Sequence, residues 1–286
     1  MDQPEPTYSG LLDVGEHTIH WEYFGDRGRE AICLLNGLAM HTKAWYGFLP
    51  QLLDDYDVLL YDYPGQGESS KEDVPYSIPL FADYLARIMS LNEVDKVHLM
   101  GISYGGFVAL DFARLYRDRL HTLVLSGIIL SDEKLFQMYQ DISLRFYRST
   151  PEVFDLYTHY MYEKIFGEPF VSKLTDEQLD AMRRRFYDRY VDLRHCLIRL
   201  TEAQDPFFAA LDGSLHEYRS VKVPTLVVAG EQDRAIPLWA QRKLCDIFTN
   251  SRWELLAGSG HVVYLERPDL FFPLLKRFMK AKSVEF

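Results

Sequence analysis

Cysteine is scarce: Cys33, Cys196 and Cys245 are the only three in 286 residues. So few, so widely spaced, they make neither a disulfide framework nor a metal-ligand pair. They fit a reducing compartment, and the cytoplasm is the expected location. Long apolar runs are missing too, since none reaches the roughly 18 residues of a membrane-spanning helix. Positive charge is in deficit, with 31 Lys and Arg against 42 Asp and Glu and a formal net charge of −11. Such a chain repels a phosphate backbone on average, so a nucleic-acid partner is not expected. The opening stretch MDQPEPTYSGLLDVG lacks the basic start and apolar run of a secretory signal. No clustered Cys/His/carboxylate pattern has metal-ligand spacing, so no metal is expected. These absences exclude classes of function without naming one, and they leave the oligomeric state open.

What is present is a rhythm. Short apolar, β-branched runs alternate with helical patterns. HTIHWEYFG reads as an early, half-buried strand. AICLLNG, YDVLLYDYPG, KVHLMG, LHTLVLSG, VPTLVVAG and RWELLAG are near-continuous apolar runs, each stopped by polar or glycine residues. Parallel strands read this way because helices cover both faces of their sheet. Helices are expected over residues 42–53, 78–89, 105–116, 238–248 and 270–280. Alternation of this kind predicts an α/β fold with a mostly parallel central sheet flanked by helices. One region breaks the pattern. Residues 131–220 contain no convincing strand, and polar and aromatic residues recur there at helical spacing. STPEV and LTDEQL have the look of helix starts. The expected organisation is a core of residues 1–130 and 221–286 with a helical cap, residues 131–220, inserted before the penultimate strand. The many Tyr and Phe of the cap serve either packing between its helices or the lining of an apolar pocket.

The stretch GISYGG puts Ser103 where a strand ends and a helix begins. A sharp turn at that junction lifts the hydroxyl clear of both elements, and small flanking residues let helix and sheet come close. The helix start points free amides toward the serine, where negative charge develops in acyl transfer. The same serine spoils the glycine spacing of a dinucleotide loop, so no organic cofactor is expected either. A serine hydroxyl needs a base. His261, in GSGH after the last strand, is the candidate, at the carboxyl edge of the sheet where open α/β folds place their sites. A plain loop histidine bonded to backbone is the rival reading. Among the other histidines, His20 is expected far from that edge, and His41 near the mouth of the site, in a helix-start or surface role or, alternatively, in contact with substrate. Asp233 in GEQD is the candidate orienter of the imidazole, with Glu231 as the weaker alternative. The oxyanion is expected between the backbone amides of Tyr104 and Leu38.

Taken together, NGLAM…W, DYPGQGES, GISYGG, GEQD and GSGH resemble the α/β-hydrolase superfamily in its capped branch, over nearly the whole chain. The resemblance implies Ser103 as nucleophile, Asp233 as acid, His261 as base, and the amides of Leu38 and Tyr104 as oxyanion donors. It implies that Asp62, Gly65, Gly67 and Ser69 shape a tight loop beside the site. Many members carry histidine before the oxyanion glycine, where this chain has Asn36; an intact turn is still expected. LLNG is also similar to an acyltransferase-like group that joins hydroxyacyl chains. The leading expectation is a serine hydrolase that cleaves a partly apolar, small-molecule carboxylic ester or related acyl compound. Two alternatives stay open: acyl transfer to an acceptor other than water, and a non-catalytic ligand-binding protein on the same fold.

Overall fold

A computed structural model describes residues 4–286. The first three residues of the N-terminal stretch discussed above lie outside the described part. Eight strands form one sheet: β1 (Tyr8–Asp13), β2 (Thr18–Phe24), β3 (Ala31–Leu35), β4 (Asp57–Tyr61), β5 (Val97–Ile102), β6 (Leu120–Ser126), β7 (Thr225–Gly230) and β8 (Ser251–Leu256). Their order across the sheet is β1-β2-β4-β3-β5-β6-β7-β8. β1 and β2 are antiparallel, β2 pairs antiparallel with β4, and every pairing from β4 to β8 is parallel. The seven expected strands are all present, and β1 is an eighth that the apolar pattern did not reveal.

Alternation along each strand feeds two cores. Ala31, Cys33 and Leu35 of β3 face one apolar cluster, and Ile32 and Leu34 face the other. The first cluster is covered by α1 (Ile78–Leu91) and α2 (Tyr104–Leu115). α2 lies very close to the sheet. A methyl group added at Gly105 would meet the Leu35 and Asn36 carbonyl oxygens at 2.7 Å, and one at Gly101 would meet the Gly105 carbonyl oxygen at 2.5 Å.

Between β6 and β7 the chain forms seven helices: α3 (Lys134–Tyr147), α4 (Pro151–Ile165), α5 (Glu168–Val171), α6 (Asp176–Tyr190), α7 (Arg194–Glu202), α8 (Gln204–Ala209) and α9 (Leu211–Ser220). This is the helical cap inserted before the penultimate strand. α6 starts with a capping box in which Thr175 and Gln178 satisfy each other's backbone amides. Pro151 opens α4, as its fixed φ favours. Tyr147, Phe154, Tyr157, Phe186 and Tyr190 pack into an aromatic core of the cap's own.

Two expected helices form differently. Residues 42–53 make two 3₁₀ turns, Thr42–Trp45 and Leu49–Gln51, because Gly47 and Pro50 interrupt the helical ladder. Residues 238–248 divide into α10 (Leu238–Arg242) and α11 (Leu244–Ile247). After β8 come α12 (Val263–Glu266) and α13 (Pro268–Ala281), whose Phe271, Phe272, Leu275 and Phe278 fill the second core. No helix among the described residues is long and apolar enough to cross a membrane.

Candidate active site

Ser103 caps the N-terminus of α2, directly after β5. Its backbone sits at φ 48 and ψ −124, a region that residues with a Cβ rarely adopt. The turn is held from two sides, by the Ser103 amide on the Ser126 carbonyl of the next strand at 2.9 Å and by the Gly106 amide on the Ser103 carbonyl at 2.8 Å. The strain is thus fixed by strand pairing and helix start together. The hydroxyl-bearing residue opens onto a cavity of about 290 Å³, which His261, Leu38 and Tyr104 also line. Among the described residues neither the Leu38 nor the Tyr104 amide donates a hydrogen bond. Both remain free for a ligand atom.

Asp233 lies in the loop after β7, and His261 in the loop after β8. The imidazole Nδ1 donates to Asp233 Oδ2 at 2.9 Å, with the two side chains 9% and 1% exposed. That bond assigns the proton to Nδ1 and leaves Nε2 as an acceptor. No hydrogen bond joins Nε2 to the Ser103 hydroxyl among the described residues, although both residues line the one cavity. Such contacts commonly tighten only when substrate is bound. Burial works against charge on His261. The carboxylate of Asp233, its hydrogen bond and the charge of Glu266 outweigh that penalty, and the imidazole pKa is raised above its ordinary value. Glu231 is not bonded to His261. Its carboxylate accepts instead from the Gly258 amide at 3.0 Å, bracing the same pair of loops.

The loop beside the serine is built as a polar lattice. Asn36 is fully buried. It donates from Nδ2 to the Tyr61 carbonyl at 3.0 Å and to Asp62 Oδ1 at 3.2 Å, and it accepts from Trp45 Nε1 at 2.8 Å. Asparagine therefore holds the turn that precedes Gly37. Asp62 also accepts from the amides of Thr42 and Glu68, and Ser69 Oγ donates to the Asp62 carbonyl at 2.6 Å. Gly67, at φ 49, leaves room for the Asp62 carboxylate.

His20 corrects an expectation. Because β2 runs antiparallel, its start lies at the carboxyl edge of the sheet. There the His20 amide donates to Ser69 Oγ at 2.8 Å, and its ring pairs with buried Glu22 at 3.0 Å. It does not line the cavity. Neither does His41, whose pKa is pushed down to about 4 by burial and by the charges of Arg189 and Lys43.

A model of the alpha/beta hydrolase fold matches residues 30–268. The chain belongs to the α/β-hydrolase fold family. This α/β hydrolase is 27% identical over 256 residues to a poly(3-hydroxyalkanoate) depolymerase of Ectopseudomonas oleovorans, covering 88% of this chain and 84% of the relative. It is 27% identical over 272 residues to a pimeloyl-[acyl-carrier protein] methyl ester esterase of Aeromonas hydrophila, with 92% and 99% covered. Among solved structures it is similar to MGS-M2, an alpha/beta hydrolase enzyme from a Medee basin deep-sea metagenome library. The TM-score is 0.86 at 22% identity, with 97% and 99% of the chains covered.

Three features of the hydrolase site escaped the sequence. Gln241 on α10 is fully buried. Its Nε2 donates to Asp233 Oδ2 at 2.9 Å and to the Ile236 carbonyl at 2.8 Å, while its Oε1 accepts from the Gly127 amide at 3.2 Å. With the amides of Ala235 and Ile236 on Oδ1, and with His261, it gives Asp233 four donors. Gly127, at φ 63, lies flat against the imidazole; an added methyl would meet His261 Cε1 at 2.6 Å. Glu266 is the third. It accepts from the amides of Gly260 and Val262 on either side of His261, and from Gly167 of the cap. The cap grips the base further through the His261 amide, which donates to the Ile165 carbonyl at 2.7 Å.

Replacing Gln241 with leucine leaves a buried carboxylate oxygen one donor short. A stability loss of about 1–3 kcal/mol is expected, together with a lower kcat at little-changed KM. Urea unfolding and ester kinetics measure the two. An unaltered midpoint and kcat would remove Gln241 from this network.

Proposed function

We infer that this chain is a serine hydrolase acting on uncharged carboxylic esters or related acyl compounds, with Ser103 as nucleophile, His261 as base and Asp233 as its orienter. The observation that carries the reading is the His261–Asp233 pair, buried at the same cavity as a strained serine at a helix start. The Aeromonas relative, named for a methyl ester, and the depolymerase support the substrate class.

In this scheme His261 Nε2 takes the hydroxyl proton as Ser103 Oγ attacks the carbonyl carbon. The amides of Leu38 and Tyr104 stabilise the oxyanion. One such donor is worth about 10²–10³ in kcat in other hydrolases. The intermediate collapses, and the imidazolium gives its proton to the departing alkoxide. Water then repeats the cycle on the acyl-serine, with His261 again as base, and releases the acid. Asp233 holds the tautomer and stabilises the imidazolium. Transfer to an alcohol, amine or thiol would use the same acyl-serine, and the cap would decide which acceptor reaches it. The chain divides, in this reading, into a core of residues 1–130 and 221–286 and a cap of residues 131–220. Three free thiols support a reducing location such as the cytoplasm.

A fluorophosphonate probe should label the wild type at Ser103 and leave Ser103→Ala unlabelled. Ester cleavage in the presence of added acceptors should yield free acid. New acyl conjugates in place of acid would make the protein a transferase, and equal labelling of both forms would remove Ser103 from the chemistry.

A further inference from the structure

The cavity wall is mostly apolar and aromatic, and among the described residues no Lys, Arg, Asp or Glu lines it. Apart from Ser103, His261 and the tyrosine hydroxyls, its polar side chains are four, with Gln204 of α8 among them. Gln140 and Ser143 come from α3, and Thr201 from α7, which packs against α3. Ser143 Oγ donates to the Tyr139 carbonyl one turn back at 3.0 Å, the usual resting place of a hydroxyl within a helix. Thr201 has no such bond. Its Oγ1 and the Nε2 of Gln140 are buried without any partner among the described residues, although the residues are only 3% and 8% exposed. Buried polar groups are normally paired. Two unpaired ones on facing cap helices, both lining a ligand-sized cavity, mark a place where a ligand supplies the missing bonds.

We propose that Gln140 and Thr201 form a polar subsite in the cap for an uncharged oxygen, hydroxyl or carbonyl, carried on the otherwise apolar chain of the substrate. The proposal rests on the ester-hydrolase reading and narrows it to hydroxy- or oxo-substituted acyl esters. The donor at Gln140 Nε2 asks for an acceptor oxygen. The Thr201 hydroxyl both donates and accepts, so it suits either group. A terminal carboxylate or ammonium does not suit this subsite, because no Lys, Arg, Asp or Glu lines the cavity to pair with it.

The test is a panel of esters of equal chain length. One is unsubstituted, others carry a hydroxyl or ketone at successive positions, and one ends in a carboxylate. At the best position the oxygen should raise wild-type kcat/KM by about tenfold over the unsubstituted ester. Gln140→Leu and Thr201→Val should each erase most of that gain, read within each variant as the ratio of oxygen-bearing to plain-ester kcat/KM, and urea melts report that the variants fold. The carboxylate ester should be slower than the unsubstituted one by about 100-fold or more. Equal rates for plain and oxygen-bearing esters, or a gain that survives both substitutions, would overturn the subsite. So would preference for the carboxylate. Cleavage of the plain ester by Ser103→Ala would overturn the serine reading instead. Calorimetric binding of matched dialkyl ketones, with and without the distal oxygen, scores the subsite separately from turnover.

Discussion

Replacing Ser103 with alanine is expected to cut ester turnover by at least about 10⁴-fold while leaving the fold intact. The loss is that large because, in the proposed scheme, the hydroxyl forms the covalent intermediate. What remains in that scheme is a water attack assisted by the free amides of Leu38 and Tyr104. Glycine at the same position separates chemistry from backbone. Ser103→Gly should be equally inactive, yet more stable than Ser103→Ala by about 1 kcal/mol. At φ 48 and ψ −124 an alanine keeps the strain that glycine relieves. Steady-state assays and urea melts of the two variants measure both effects. Residual turnover within tenfold of wild type would discard the acyl-serine scheme. Equal stability of the two variants would show that the turn is not strained.

How much of this the sequence disclosed depended on the kind of signal involved. Buried strands were plain, because a run such as AICLL has no polar face to confuse the period. β1 was hidden because it is the edge strand. Its residues are mostly exposed, and Gly10 breaks the run to make room for the Trp21 ring at 3.3 Å. His20 was misplaced for a topological reason. Strand direction is absent from a hydropathy pattern, and reversal of β2 carries its first residues to the opposite edge from the one expected. The positions of Ser103, Asp233 and His261 at the carboxyl edge were legible because each follows a strand at a glycine-marked turn. Gln241 was not. It is a polar residue in an ordinary helical stretch, and only the fold of the loop after β7 brings its amide to Asp233. Gln140 and Thr201 share that anonymity. Nothing in EKLFQMYQ or LIRLTEA separates a polar residue that faces solvent from one that lines a cavity.

The second large effect concerns Asp233. Asparagine there keeps the shape but offers His261 Nδ1 an amide in place of a carboxylate, and kcat should fall by about 10⁴-fold. Its pH signature distinguishes lost electrostatics from simple disruption. In the wild type the imidazole pKa is raised above the ordinary value of about 6.5. With His261 as the proposed base, activity needs its neutral form and should rise with pH through a limb above that value. In Asp233→Asn the charge that supported the imidazolium is gone, burial is left less opposed, and the residual activity should show its acid limb at lower pH. Stability follows by linkage. A group whose pKa is raised on folding contributes stability that is fully present below its unfolded value and is lost as pH rises through the folded one. The asparagine variant lacks that contribution, so its deficit relative to wild type should be larger at about pH 6 than at about pH 9. Urea melts at the two values, beside the pH–rate profile, measure this. A limb that stays in place, with a deficit independent of pH, would mean that Asp233 holds His261 by geometry alone and not by charge.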